Sequence, residues 1–237
     1  MNSYNYDEFS TGDYDFDTEV GPSVGDKAPD FELTTATGET KNLLDFSGEF
    51  LVLEMGSITC PLFQSRRGIM QPLAQTDGAS SAVLYVREAH PGADIQSHKS
   101  FDDKMGCAVR LTCEDGETRT VFVDGLEGKA HAAYGSMPNA VFIINKGGCV
   151  AYRADWNNPT ATRKALQALL AGRAVTSKPY FRPALPTTVF RTLGNAGKGS
   201  AADFLKGLPF LFWTNIIKRN LRLLFNRPKS GSKHTTC

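Results

Sequence analysis

The residues best suited to chemistry form the run Gly56-Ser57-Ile58-Thr59-Cys60-Pro61. Pro61 has no amide proton to lose and a backbone angle preset for a first helical turn, so the run reads as a strand handing over to a helix. A cysteine placed there faces unpaired helix N–H groups and the positive end of the helix dipole. Both favour the thiolate, which is the nucleophilic form. Ser57 and Thr59 add hydroxyls able to donate to the sulfur or to a bound oxyanion, and Arg66 and Arg67, two turns into the helix, add positive potential. Burial as a structural residue is the commonest fate of a free cysteine. The position beyond a strand end, where open α/β sheets bind ligands, favours a nucleophile instead.

The flanking sequence supplies the scaffold such a thiol needs. Phe50-Leu51-Val52-Leu53-Glu54-Met55 is almost wholly apolar, as in a strand covered on both faces of a mostly parallel sheet, and a helix follows Cys60 to about Ala74. Residues 28–33 predict a short strand before it. Residues 81–86 predict a second buried strand, 96–105 a helix, and 121–124 a third strand. Residues 140–145 and 149–153, joined by Lys146-Gly147-Gly148, predict an antiparallel hairpin. A last helix over Pro159–Leu170 gathers Ala161, Ala165, Leu166, Leu169 and Leu170 on one side. The sum is an α/β unit with a mixed central sheet flanked by helices.

With 237 residues, 41% hydrophobic and 22% charged, the composition is that of a globular protein and excludes collagen-like, wholly disordered or integral membrane classes. The net charge of +1 hides a polarity. Residues 1–24 hold six acids and no Lys or Arg, while residues 176–237 hold eleven Lys or Arg and one acid, Asp203. Residues 1–23, nearly devoid of aliphatic side chains, read as a disordered acidic tail; 24–172 as the folded unit; 173–203 as a Pro/Gly/Ser-rich linker; and 204–237 as a basic amphipathic helix and tail. On that helix Trp213, Ile216, Ile217, Leu221 and Leu224 share one face and Lys218, Arg219 and Arg222 the other, a pattern suited either to peripheral membrane contact through residues 204–225 or to docking on the protein itself or a homodimer partner. The longest uncharged apolar stretch, residues 207–217, falls well short of the roughly 18 to 20 residues that span a bilayer. Cys60, Cys107, Cys113, Cys149 and Cys237 are too few and too irregular for a disulfide scaffold, and the N-terminus lacks the layout of a signal peptide. A reducing compartment, the cytoplasm, is expected. No CxxC pair occurs and the four histidines show no ligand spacing, so no metal is expected.

Four segments carry a family resemblance: Gly56-Ser57-Ile58-Thr59-Cys60-Pro61-Leu62-Phe63, Arg87-Glu88-Ala89-His90-Pro91, His98-Lys99-Ser100-Phe101-Asp102-Asp103-Lys104 and Ala133-Tyr134-Gly135-Ser136-Met137-Pro138. In order and approximate spacing they resemble the iodothyronine deiodinase family and its bacterial relatives over roughly residues 24 to 172. The Glu-Ala-His-Pro element is the most specific of them, since it separates that family from ordinary thioredoxins and peroxiredoxins. The resemblance implies a thioredoxin-like fold and reductive removal of iodide from an iodinated phenol, with Cys60 as the nucleophile in the place of the animal enzymes' selenocysteine. It implies that Glu88 and His90 form an acid and hydrogen-bonding group beside the thiol, that His98 helps hold substrate, and that Ser57, Thr59 and Arg67 support the loop. Met137-Pro138 takes the place of the cis-proline that neighbours the reactive cysteine in thioredoxin-like folds. An imidazole near its own pKa can supply the proton that replaces iodine, and a neighbouring carboxylate can fix its tautomer. No bound cofactor is implied; an external thiol such as thioredoxin or glutathione regenerates the enzyme.

The sequence departs from the family at Cys60 itself and at Asn139-Ala140, where members tend to carry Arg. Two other classes are compatible with the fold. A peroxiredoxin-like thiol peroxidase finds its [Ser/Thr]-x-x-Cys spacing in Ser57 and Cys60, but Leu53 replaces the proline usual four residues earlier; a redox-inert binding protein needs only the scaffold. Phe63 occupies the second cysteine position of a CxxC motif, which leaves Cys107 and Cys113 as candidate resolving thiols. No nucleic-acid motif accompanies the basic tail.

Overall fold

The computed structural model describes residues 4–18, 20–226, 229 and 231–237. Residues 1–3 and 19 of the predicted acidic tail, and 227, 228 and 230 of the predicted basic tail, lie outside the described residues.

The buried strand read from residues 50–55 is β3 (Phe50–Gly56), an interior strand of a seven-stranded sheet whose order is β2-β1-β5-β4-β3-β6-β7. β4 (Ala79–Tyr85) and β5 (Thr120–Val123) run parallel to it, while β6 (Val141–Asn145) and β7 (Val150–Ala154) form the predicted antiparallel hairpin on its other side. A short hairpin of β1 (Glu32–Thr35) and β2 (Thr40–Asn42) adds antiparallel to β5. Alternation along β3 assigns its two faces. Leu51, Leu53 and Met55 join one cluster with Leu84, Phe142 and Trp156; Phe50 and Val52 join another on the opposite face with Ala165, Leu166 and Leu169 of α4 (Pro159–Leu170). Phe63, from α1 (Pro61–Met70), and Leu111, from α2 (Phe101–Cys113), complete the core with Val83 and Tyr85. Between β5 and β6 lies the short α3 (Lys129–Ala133).

Four features differ from the sequence expectations. α2 begins at Phe101, not Gln96, because Ser100 and Asp103 form a reciprocal capping box that starts the helix there. Residues 4–18 pack against the core: Phe9 and Tyr14 are buried, and the Arg87 guanidinium lies 4.6 to 5.2 Å from the ring centres of Tyr4, Tyr6 and Tyr14. Aromatic and cation–π contacts do there what aliphatic side chains usually do. The predicted linker contains α5 (Pro186–Ala196), anchored where Ala196 accepts the N–H groups of Asp94 and Ile95 at 3.0 Å. A Cβ on Gly92 would stand 2.4 Å from that carbonyl oxygen, so the close approach requires glycine. α6 (Ser200–Leu211) follows, widens to π-helical turns over Phe212–Arg219 and ends in α7 (Asn220–Phe225). Finally, Cys149 and Cys237 form a disulfide, against the reduced state expected of all five cysteines.

Candidate active site

Cys60 is the residue before α1, in extended backbone conformation (φ −89°, ψ 107°). β3 ends in Gly56 because the Phe63 ring lies over it: a Cβ there would meet a ring carbon at 2.3 Å. The loop between them is braced to residues 87–90. Ser57 Oγ accepts the Ala89 N–H at 3.2 Å. The N–H and hydroxyl of Thr59 both donate to the Glu88 carboxylate, at 3.1 and 2.6 Å, and the same hydroxyl accepts the His90 N–H at 3.2 Å. Ser57 and Thr59 therefore lock two loops together and are not aimed at the sulfur.

Glu88 is the centre of this lock. Its carboxylate also takes the Tyr85 hydroxyl and pairs with His98 Nε2 at 3.1 Å. Burial pushes its acidity down, but the hydrogen bonds and charge of His98, with Thr59 and Tyr85, outweigh it and hold the carboxyl below its ordinary pKa. Glu88 is thus brought together with His98, while the His90 ring lies apart from both, among aromatic side chains. Cys107 sulfur lies beside the pair, the ligand atoms of Glu88, His98 and Cys107 being within 4.8 Å of one another. The carboxylate accepts from three side chains and anchors the group, while the buried His98 Nδ1 has no hydrogen-bond partner among the described residues. Burial pushes the Cys107 thiol up to about 12, and Cys113 is exposed; neither lines the cavity at Cys60.

Cys60, His90 and Pro138 share a cavity of about 300 Å³ with Phe9 and Tyr14 of the N-terminal segment. α5, α6 and the π-helical turns enclose it, through Phe190, Phe204, Leu208 and Phe212 among others, and no charged side chain among the described residues lines it. Its volume suits a small molecule. The apolar walls dominate its electrostatics. Cys60 is 2% exposed, and burial pushes its thiol up to about 11 against the amides of Phe63 and Leu62 and the charge of Arg66. Desolvation here outweighs the helix N-terminus that the sequence pointed to. Burial likewise lowers His90 to about 3, opposed only by Asp203, so its imidazole is neutral. The ring lies 4.3 Å from Phe9 and 5.4 Å from Phe204, centre to centre, and its Nδ1 has no hydrogen-bond partner among the described residues.

The arginine that reaches this site is Arg66, not Arg67. Arg67 turns to Glu117 (3.2 Å) and the Asp115 carbonyl (2.6 Å), whereas Arg66 donates to Asn139 Oδ1 and to the Arg182 carbonyl (2.8 Å). Asn139 in turn donates to Glu54 at 3.0 Å, a fully buried carboxylate of β3 that also receives Arg119 (2.8 Å) and Asn157 (2.5 Å). Asn139, standing where arginine was expected, is the junction of this network. The Met137 carbonyl meets His131 Nε2 at 3.0 Å, and no peptide bond among the described residues is cis, so Pro138 holds the thioredoxin-like position with a trans bond.

A sequence model of the iodothyronine deiodinase family matches residues 12–166. The chain belongs to that family. Thyroxine 5-deiodinase of Aquarana catesbeiana is 30% identical over 138 residues, which cover 52% of this chain and 51% of that protein; its Homo sapiens counterpart is 27% identical, with 52% and 45% covered. The chain thus matches about half the length of these curated relatives. Among solved structures, an uncharacterized conserved protein from Geobacillus kaustophilus superposes with a TM-score of 0.52 at 20% identity, over 63% of this chain and 83% of that one. A hypothetical protein from Sinorhizobium meliloti gives 0.53 at 18% identity, over 65% and 87%. These likenesses are of fold, which is thioredoxin-like. Within the deiodinase family match lie Cys60, Glu88, His90, His98 and Pro138, together with the acidic N-terminal stretch from residue 12 that composition alone assigned to a tail.

Proposed function

We propose that the protein is a thiol-dependent reductase that removes iodide from an uncharged iodinated phenol, with Cys60 as nucleophile. The observation that carries this reading is the shared cavity: a thiol and a neutral, unpartnered imidazole face one apolar space at the strand end. The sulfur attacks iodine, the carbon–iodine bond breaks, and the proton of the thiol ends on the ring carbon, so that Cys60–SH and Ar–I become Cys60–S–I and Ar–H. The neutral His90 is suited to hold the phenolic hydroxyl through Nδ1, unpartnered among the described residues; lowered to about 3, its imidazole is too weak a base to take the proton of a thiol held at about 11. One external thiol then displaces iodide and leaves a mixed disulfide; a second releases Cys60–SH and a disulfide product. Thioredoxin or glutathione are reductants of the right class. The neutral lining supports a substrate without the amino-acid charges of an iodothyronine.

A cytoplasmic location belongs to this reading because the regenerating thiols are abundant there; in that compartment Cys149 and Cys237 are expected reduced. Purified protein and its Cys60→Ser variant, given dithiothreitol with an iodinated phenol or with hydrogen peroxide, test the chemistry. Cys60-dependent iodide release supports the proposal. Cys60-dependent peroxide consumption without iodide release replaces it with a peroxidase, and no Cys60-dependent turnover of either leaves a binding protein.

A further inference from the structure

From Thr214 onward the C-terminal helix meets the molecule largely through polar side chains and turns several apolar ones outward. Thr214 and Asn215 are buried. Asn215 Oδ1 accepts the Trp156 indole N–H at 2.8 Å, Arg219 pairs with Asp155 at 2.8 Å, and Asn220 exchanges hydrogen bonds with the backbone of Phe181. On the outside stand Trp213, 62% exposed, and Leu221, Leu224 and Phe225. A helix that served only to cover the core would place these groups the other way round. α5 and α6 bury apolar side chains towards the cavity but also expose others: of fourteen large apolar side chains exposed among the described residues, ten lie between residues 185 and 225.

Charge selects what covers this face. Residues 176–237 hold eleven Lys or Arg against Asp203 alone, and Arg191, Lys198, Lys206, Lys218 and Arg222 are all exposed, with Lys206 paired to Asp203 and Lys218 to Asp17 of the N-terminal segment. A second copy docking through the same face would bring two strongly cationic segments together. An anionic bilayer offers acyl chains for the aromatic and aliphatic groups and headgroup charge for the cations. No helix among the described residues is long and apolar enough to cross a membrane, so the contact is one that lies in the interface.

The face also contains the mouth of the Cys60 cavity. Phe190, Leu205, Leu208 and Phe212, from three elements, both line the cavity and are exposed. We propose that the outer face of α5, α6 and α7 seats in the interface of an anionic membrane and presents the cavity mouth to lipid, from which an apolar substrate enters. The entry route rests on the reductase reading above; the docking does not.

Vesicle flotation of the full chain tests the docking. The wild-type protein is expected to float with equimolar phosphatidylcholine–phosphatidylserine vesicles and not with phosphatidylcholine alone, and the Trp213 emission to shift to the blue on binding. The double variant Leu221→Glu/Leu224→Glu, changed only at exposed positions outside the cavity, should lose at least about tenfold in partition. Trp213→Ala should lose less, in the same direction. The double variant should still turn over an iodinated phenol in solution but lose turnover of one dissolved in the vesicles. Failure of the wild type to float with anionic vesicles, equal flotation of the double variant, or a wild-type dimer that the double substitution dissociates overturns the docking. Flotation with no turnover of either substrate by the wild type overturns the reductase reading and leaves the docking intact.

Discussion

Opening the wall of the cavity at Phe204 should activate the thiol that the wall now suppresses. Burial holds Cys60 at about 11, against an ordinary cysteine value of 9.0, so at pH 7 only about one thiol in ten thousand is ionised where about one in a hundred would be in water. The difference of about two units corresponds to roughly 3 kcal/mol of lost thiolate solvation. Phe204 lines the cavity and packs edge-on against His90, so Phe204→Ala admits water beside the sulfur while leaving the braced loop intact. The assay is the pH dependence of alkylation by iodoacetamide, read as loss of the Cys60 peptide mass, because this neutral reagent reports the thiolate fraction. For the wild type the rate should climb about tenfold per pH unit through pH 9 without a plateau. For the variant the midpoint should fall towards 9, raising the rate at pH 7 by up to about a hundredfold. A wild-type plateau below pH 8, or a variant whose midpoint does not move, would show that desolvation is not what governs this thiol.

Three further outcomes follow from the same geometry. His90→Phe should reduce kcat/KM for an iodinated phenol by about 10² or more, while His90→Asn, which keeps a polar group in the cavity, should retain more of it. Because burial holds both His90 and His131 at about 3, each binds a proton in the unfolded chain but not in the folded one between that value and about 6.5; stability is full above pH 6.5 and should fall on acidification by roughly 3 kcal/mol per pH unit near pH 5 for the pair, read from denaturant midpoints. Flat midpoints between pH 7 and 5 would contradict their burial as neutral imidazoles. Cys237→Ser opens a loop of 88 residues and should cost the oxidised protein about 2 to 4 kcal/mol, measured by chemical unfolding with and without reductant; an unchanged midpoint would mean that the bond constrains nothing.

The parts of the fold written in hydrophobic period were legible. β3, β4 and the hairpin of β6 and β7 lie within a residue or two of the expected positions, and α4 spans the expected Pro159–Leu170 because Asn158 caps it and Pro159 starts it. What period does not carry was missed. The N-terminal segment is held by tyrosines around the Arg87 guanidinium, contacts made across some seventy to eighty positions of sequence that no local composition announces. At the site, the position of Cys60 was readable from Gly56 and Pro61, but its acidity was not. That depends on the apolar cover of α5 and α6, which lie more than a hundred residues later in a stretch read as a linker and a basic amphipathic helix. The pairing of Glu88 with His98 and not His90 is likewise set by loop geometry, as is the turn of Arg66 towards Asn139.

A single turnover tests the central claim most directly. Pre-reduced protein freed of added thiol and mixed with a slight excess of an iodinated phenol should form one deiodinated phenol per Cys60, with the iodine retained on sulfur and iodide appearing only when dithiothreitol is added. No deiodinated product in that first turnover, or the same amount from the Cys60→Ser variant, would contradict the assignment of Cys60 as the group that takes the iodine.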